Sequence, residues 1–194
     1  MQTRQAAARI APGDEASRYD ALTRMLHWGT VVLVILLYGL AQIWDFLPRG
    51  SAPRHALQSL HISLGVMLTL VILARIPWRL GLGRRLPPAT PGWTDKAARG
   101  MHHLLYLLLL TMVVTGFGNR WTHGAPLEIF GLIGLPSPFG AMAPATVHLI
   151  GAVHNTVATG IMICAGLHAA AALFHHFLLR DGVLRRMLPD RTGT

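Results

Sequence analysis

Four long apolar runs, none holding an aspartate, glutamate or lysine, limit what this chain can fold into. They cover about residues 25–44, 57–78, 101–117 and 145–179, and their one arginine, Arg75, lies near the end of its run. A helix in a soluble bundle needs a polar face, and these runs have none. Each of the first three matches the ~20 residues needed to cross a hydrocarbon core. The fourth is longer and is expected to tilt or protrude. Trp28, Trp44, Trp78 and Trp121 fall near run ends, where an interfacial aromatic belt would place them. The connecting stretches hold Pro87, Pro88 and Pro91, then Pro126, Pro136, Pro138 and Pro144. The expected fold is therefore all-α, a four-transmembrane-helix bundle integral to the membrane. Residues 1–19 are expected to form a flexible tail without the apolar run of a signal peptide. Residues 20–189 are expected to form the bundle, and 190–194 a short C-terminal tail.

The chain is apolar and basic at once: 52% of its 194 residues are hydrophobic, yet the formal net charge is +9. A nucleic-acid binder accounts for the charge but not for the apolar excess. Sorting the basic residues by loop accounts for both. Fourteen lie on one side, in the N-terminal tail (Arg4, Arg9, Arg18, Arg24), the second connection (Arg75, Arg79, Arg84, Arg85, Lys96, Arg99) and the C-terminal tail (Arg180, Arg185, Arg186, Arg191). Only Arg49, Arg54 and Arg120 lie on the other. The positive-inside rule then predicts a multi-pass inner-membrane protein with both termini cytoplasmic. The partners implied are membrane lipid and no nucleic acid.

One cysteine, Cys164, excludes an internal disulfide and any cysteine-based zinc or iron–sulfur site. Histidine is instead abundant, with eleven residues, and an ionisable residue inside a span is a functional candidate by default. His154 and His168 are 14 residues apart in the fourth span. That is nearly four turns and about 21 Å, so both point to one face. Alternating span direction places His27 level with His168 on the inner side, and His61 level with His154 on the outer side. Facing imidazole pairs are what six-coordinate haem iron requires, two axial nitrogens per macrocycle, and helical bundles build cofactor sites from inward side chains. Gly29, Gly65, Gly151, Gly160 and Gly166 leave room for it, although small residues also let helices pack closely. Any one histidine taken alone also fits a hydrogen-bonded packing role. Zinc or copper is less well supported, because no clustered Cys/His motif is present.

Leu26-His27-Trp28, Leu60-His61-Ile62-Ser63-Leu64-Gly65, the stretch Gly166 to His176 (GLHAAAALFHH) and Leu184-Arg185-Arg186-Met187-Leu188-Pro189 resemble the bacterial cytochrome b561 family over about residues 18–189. The resemblance implies two b-type haems, one held by His27 with His168 and the other by His61 with His154. One branch of that family is a superoxide oxidase, which implies electron flow from periplasmic superoxide to ubiquinone. Arg49 and Arg54, with His55 and Arg120, would then draw the anion to the outer haem; the same residues also read as ordinary loop charges. His102 and His175 would supply protons to the quinone, with Tyr106 in contact with it; both histidines also read as interfacial packing. The adjacent His103 leaves open which of the two faces the core. The broader superfamily includes cytochrome b subunits that pass electrons between a partner dehydrogenase or cytochrome c and quinone; these usually carry further motifs and often a longer chain, which favours the stand-alone branch. A haem-free transporter with a histidine relay is the third possibility, weakened by the lack of intramembrane carboxylates.

Overall fold

The computed structural model describes residues 18–88 and 92–188. Most of the expected N-terminal tail, with Arg4 and Arg9, and the expected C-terminal tail with Arg191 lie outside them. Four helices are long and apolar enough to cross a membrane: α1 (Ala21–Asp45), α2 (Ala52–Pro77), α3 (Trp93–Trp121) and α4 (Pro144–Phe174). The chain is a helical integral membrane bundle. Many large apolar side chains point outward from it, among them Val32, Ile35, Leu70, Leu107, Val114, Ile163 and Leu167. In water such a surface would aggregate; in lipid it is the solvated face.

Helix ends extend beyond the apolar runs for local reasons. Asp20 caps α1, its carboxylate accepting from Thr23 N at 2.8 Å and from Thr23 Oγ1 at 2.7 Å. Pro53 sits in the first turn of α2, where its missing N–H costs nothing. α3 begins eight residues before its apolar run, with Asp95 and Arg99 paired one turn apart at 2.8 Å. α2 continues into a π-helical turn, Trp78–Leu82, and α4 into another, His175–Leu179, which brings the fourth helical stretch to 36 residues. Gly83 lies against the Trp78 ring so closely that a Cβ there would stand 2.8 Å from the indole nitrogen.

α1 packs along α2, and α3 along α4; these two helical pairs meet chiefly through α2 and α3, and more sparingly. The buried core is a single layer at mid-depth: Leu33 and Leu37, Leu68 and Ile72, Leu109, and Ile161. Ile161 stands seven residues from both His154 and His168, so this layer separates the two histidine levels.

The loop between α3 and α4 holds an element the all-α expectation did not include. Strands β1 (Leu127–Ile129) and β2 (Ile133–Leu135) pair antiparallel, with Leu127 opposite Leu135 and Ile129 opposite Ile133. Phe130 and Gly131 both adopt positive φ, 50° and 67°, the requirement of a type I′ turn. Phenylalanine is rarely found there. Its N–H donates to Ser63 Oγ at 2.8 Å, and that hydroxyl, fully buried, donates to Ser59 O. The hairpin is thereby tied to α2 about 16 Å along the helix from its start. We call this the hairpin end of the bundle, and the opposite end the terminal end.

At the terminal end the residues after α4 fold back over the start of α1. Met187 O accepts from Trp28 Nε1 at 2.8 Å, Leu188 O from Arg24, and Arg186 O from Tyr19 N. Arg186 in turn donates to Pro87 O at 2.7 Å.

Candidate functional site

The four span histidines come together as two pairs. His27 on α1 faces His168 on α4 with ring centres 6.4 Å apart and planes at 77°. His61 on α2 faces His154 on α4, again at 6.4 Å, with planes at 67°. Two axial bonds of ~2.0 Å, with ~1.2 Å from each nitrogen to its ring centre, span ~6.4 Å. Both pairs thus have the separation that one iron between two imidazoles requires. His102 lies nearer to His168, at 5.1 Å, which is too short for the same bridge. His102 is therefore a neighbour of that site rather than a competing ligand, and it is His102, not His103, that turns toward His168.

At the hairpin end the chemistry of the donors also fits haem. A metal-bound histidine normally donates its second ring N–H to a fixed acceptor. His61 Nδ1 lies 3.0 Å from Leu37 O, which can only accept. His154 Nδ1 lies 3.1 Å from Thr115 Oγ1, whose own proton goes to Thr111 O at 2.8 Å, so the hydroxyl accepts from the ring. Both rings at the hairpin end therefore present an unprotonated Nε2. Gly116 gives His154 its place: a Cβ there would touch the ring at 3.4 Å. A Cβ at Gly29, Gly65 or Gly166 would meet nothing within 4 Å, whereas Gly151 and Gly160 face Asn119 and Leu108. Three of the five glycines therefore leave space, and two serve close packing. Among the described residues no three His, Cys, Asp or Glu side chains converge on a metal cluster.

The terminal-end pair has a different neighbour. Arg75 NH2 lies 2.9 Å from His27 Nδ1, and NH1 donates to Thr30 Oγ1 at 3.2 Å. Its guanidinium also covers the Tyr106 ring at 5.2 Å. A charged side chain within a span costs about 3 kcal/mol on insertion scales. Its presence in an otherwise uncharged run was the available signal, and the sequence showed it only as a residue near a helix end.

The remaining predicted site residues divide between the ends. At the hairpin end, Arg49 is exposed in the turn after α1. Arg54 donates to Trp44 O at 2.7 Å and Leu47 O at 3.0 Å, and pairs with Asp45 at 3.3 Å, so it caps the end of α1. Arg120 Nε donates to Pro126 O at 2.9 Å, and His55 is exposed. At the terminal end His175 Nδ1 donates to the Asp181 carboxylate. Burial pushes the Asp181 carboxyl up, but bonds from His175 and Val183 N outweigh it and lower it overall. A pocket of about 200 Å³ nearby is lined by His176, Phe177, Arg180, Gly182 and Arg185, so His176 rather than His175 faces it.

Asp20 does more than cap α1. It also accepts from Trp78 Nε1 and Arg84 N, each at 3.1 Å, joining α1, α2 and the second connection. Burial raises its carboxyl, yet the bonds from Thr23, Arg84 and Trp78 prevail and hold it at about 2. The sequence signal was an aspartate just before an apolar run with threonine three residues on.

Comparison with known proteins bears on these sites. Residues 18–190 match the prokaryotic cytochrome b561 family. Cytochrome b561 homolog 2 of Escherichia coli is 30% identical over 172 residues, covering 88% of this chain and 91% of that protein. Cytochrome b562 of Cereibacter sphaeroides is 30% identical over 182 residues, 89% of this chain and 96% of that protein. A probable superoxide oxidase of Yersinia pestis is 29% identical over 180 residues, 91% of this chain and 98% of that protein.

Proposed function

Because the chain belongs to the prokaryotic cytochrome b561 family, membrane proteins that bind b-type haem and transfer electrons, we propose that it holds two haems and moves electrons from superoxide at the hairpin end to ubiquinone at the terminal end. The observation that carries this is one ring separation, 6.4 Å, occurring at two levels of the same bundle. His27 and His168 hold one haem, and His61 and His154 the other. Each haem supplies a one-electron redox centre when bound. The excess of basic residues at the terminal end supports an inner-membrane orientation with both termini cytoplasmic.

The residues of the chain do the rest. Leu37 O and Thr115 Oγ1 fix the ring orientation of His61 and His154. Arg49, with Arg54 behind it, makes the hairpin end attractive to a small anion. The core layer around Ile161 keeps water out between the two levels. At the terminal end, His175 with Asp181, and His102 one turn from Tyr106, pass protons to a quinone. The balance is two superoxide anions oxidised to two O2, with two electrons and two protons converting ubiquinone to ubiquinol. The similarity to the Yersinia pestis superoxide oxidase supports this choice of donor.

A second reading has a specific observation behind it. Phe130, Leu132 and Ile133 of the hairpin are 49%, 86% and 58% exposed, an apolar face suited to an electron-donating partner protein. The family's haem binding leaves no place for the haem-free transporter. The deciding experiment mixes purified, haem-loaded protein with superoxide and a soluble quinone. Haem reduction by superoxide alone, followed by quinol formation, is the expected result. Protein that superoxide cannot reduce, but that a co-purifying donor can, supports the electron-transfer subunit instead.

A further inference from the structure

After α4 the chain turns back on itself and encloses a pocket of about 200 Å³ at the terminal end. The π-helical turn ends at Leu179, and Arg180 and Gly182 then take left-handed φ values of 54° and 79°. Such a φ is uncommon for a residue with a side chain. The reversal brings a short 3-10 turn, Leu184–Met187, against the end of the helix. Three donor side chains thereby line one pocket: His176 from the π-helical turn, Arg180 at the reversal and Arg185 after it.

Among the described residues no carboxylate lines this pocket. Asp181 follows Arg180 in the chain, but its carboxylate accepts from His175 Nδ1 and from Val183 N at 3.2 Å. Neither Arg180 nor Arg185 forms an ion pair among the described residues. Arg180 stands twelve residues beyond His168, about 18 Å along the helix, past the edge of any macrocycle centred at that ring. The side chains next to the pocket are apolar and face outward: Phe177, Leu178 and Leu179 are all exposed, and the Phe177 ring meets His176 edge-on at 4.8 Å.

Two guanidiniums suit a phosphate, because each planar fork can donate two parallel N–H bonds to its oxygens. An apolar surface beside them suits acyl chains, and basic pockets at helix ends bind anionic lipid headgroups. We propose that this pocket binds an anionic phosphate group, and that the apolar surface beside it selects the phosphate of a phospholipid headgroup over free phosphate. The lipid is one of net negative charge, since a choline headgroup brings a cation that two guanidiniums repel. A bound headgroup fastens the segment that folds back over α1, because Arg185 lies two residues before Met187, whose carbonyl accepts from Trp28. The site is separate from the proton path proposed above, in which His175 turns to Asp181 instead.

The test is native mass spectrometry of the purified holoprotein in neutral detergent, titrated with phosphatidylglycerol, phosphatidylcholine or inorganic phosphate. Phosphatidylglycerol stays bound, and phosphatidylcholine does not. Arg180→Gln combined with Arg185→Gln weakens retention about 25-fold, about fivefold for each arginine. Lys96→Gln combined with Arg99→Gln removes the same charge from the same end outside the pocket and leaves retention unchanged. Unaltered haem absorbance shows that each variant is folded. If the first pair of changes costs the haem, Arg185→Gln alone decides, with a fivefold loss expected and no loss overturning the proposal. Displacement of the lipid by millimolar inorganic phosphate supports the phosphate site and makes free phosphate its occupant. Equal losses in the two double variants mean diffuse surface charge and overturn the proposal, as does equal retention of the two lipids. Displacement of phosphatidylglycerol by a short-chain ubiquinone assigns the pocket to the quinone and overturns it as well.

Discussion

At the hairpin end, both histidines face an oxygen that accepts from the ring, and the charges nearby lie in loops. At the terminal end, one histidine faces a guanidinium and the other has a second histidine at its side. The separation between paired rings is nonetheless the same, 6.4 Å. The contrast separates two tasks. Ring spacing is set by helix packing around the mid-depth core and decides what can be held. The partners of Nδ1 are set residue by residue and decide which ring nitrogen carries the proton.

Removing a ligand should break the comparison most completely. His61→Ala or His154→Ala should abolish reduction by superoxide, while the terminal-end haem remains reducible by dithionite; stopped-flow absorbance reads both. Loss of both haems in either variant would mean that the levels are not independent. A smaller effect is expected from Thr115→Val, which keeps the shape but removes the acceptor for His154. Haem affinity at the hairpin end should weaken by about 10- to 100-fold, measured by haem transfer to an acceptor protein. The terminal-end haem should be retained as before.

Two further changes sharpen the contrast between the ends without touching a ligand. Ser63→Ala removes the acceptor for Phe130 N–H and should loosen the hairpin by about 1 kcal/mol. Faster amide exchange at Phe130, with haem content unchanged, is the expected sign. At the opposite end hydrogen bonds hold the Asp20 carboxyl at about 2 when folded, against 3.8 for an ordinary aspartate. A depressed folded pKa contributes stability that is present above pH 3.8 and lost as pH falls through about 2. Pepsin cleavage near the start of α1 should therefore rise between those pH values, and Asp20→Asn should flatten the dependence.

Much of this was legible in the sequence. Long runs without a carboxylate or lysine read as lipid-facing helices, and a fixed rise per residue converts the His154–His168 spacing into two depths. Alternating direction then assigns His27 and His61 to their levels. Helix ends were less legible, because Asp95 and Arg99 read as connection residues although their pairing carries α3 beyond the apolar run. The hairpin had no period to show, with strands of three residues each. The partners of Nδ1 were hidden for another reason. Leu37 contributes a backbone oxygen that any residue would supply, and Thr115 and Arg75 depend on the rotation of each helix about its axis, which weak amphipathicity leaves undetermined.

The central claim is that one bundle holds two independent haem sites built from paired histidines. The haem-to-chain ratio of the purified protein, measured beside that of His27→Ala and His61→Ala, tests it most directly. The account predicts two haems per chain in the unmodified protein and one in each variant, with different spectra for the haem that remains. One haem per chain at the outset, or the same remaining haem in both variants, would contradict it.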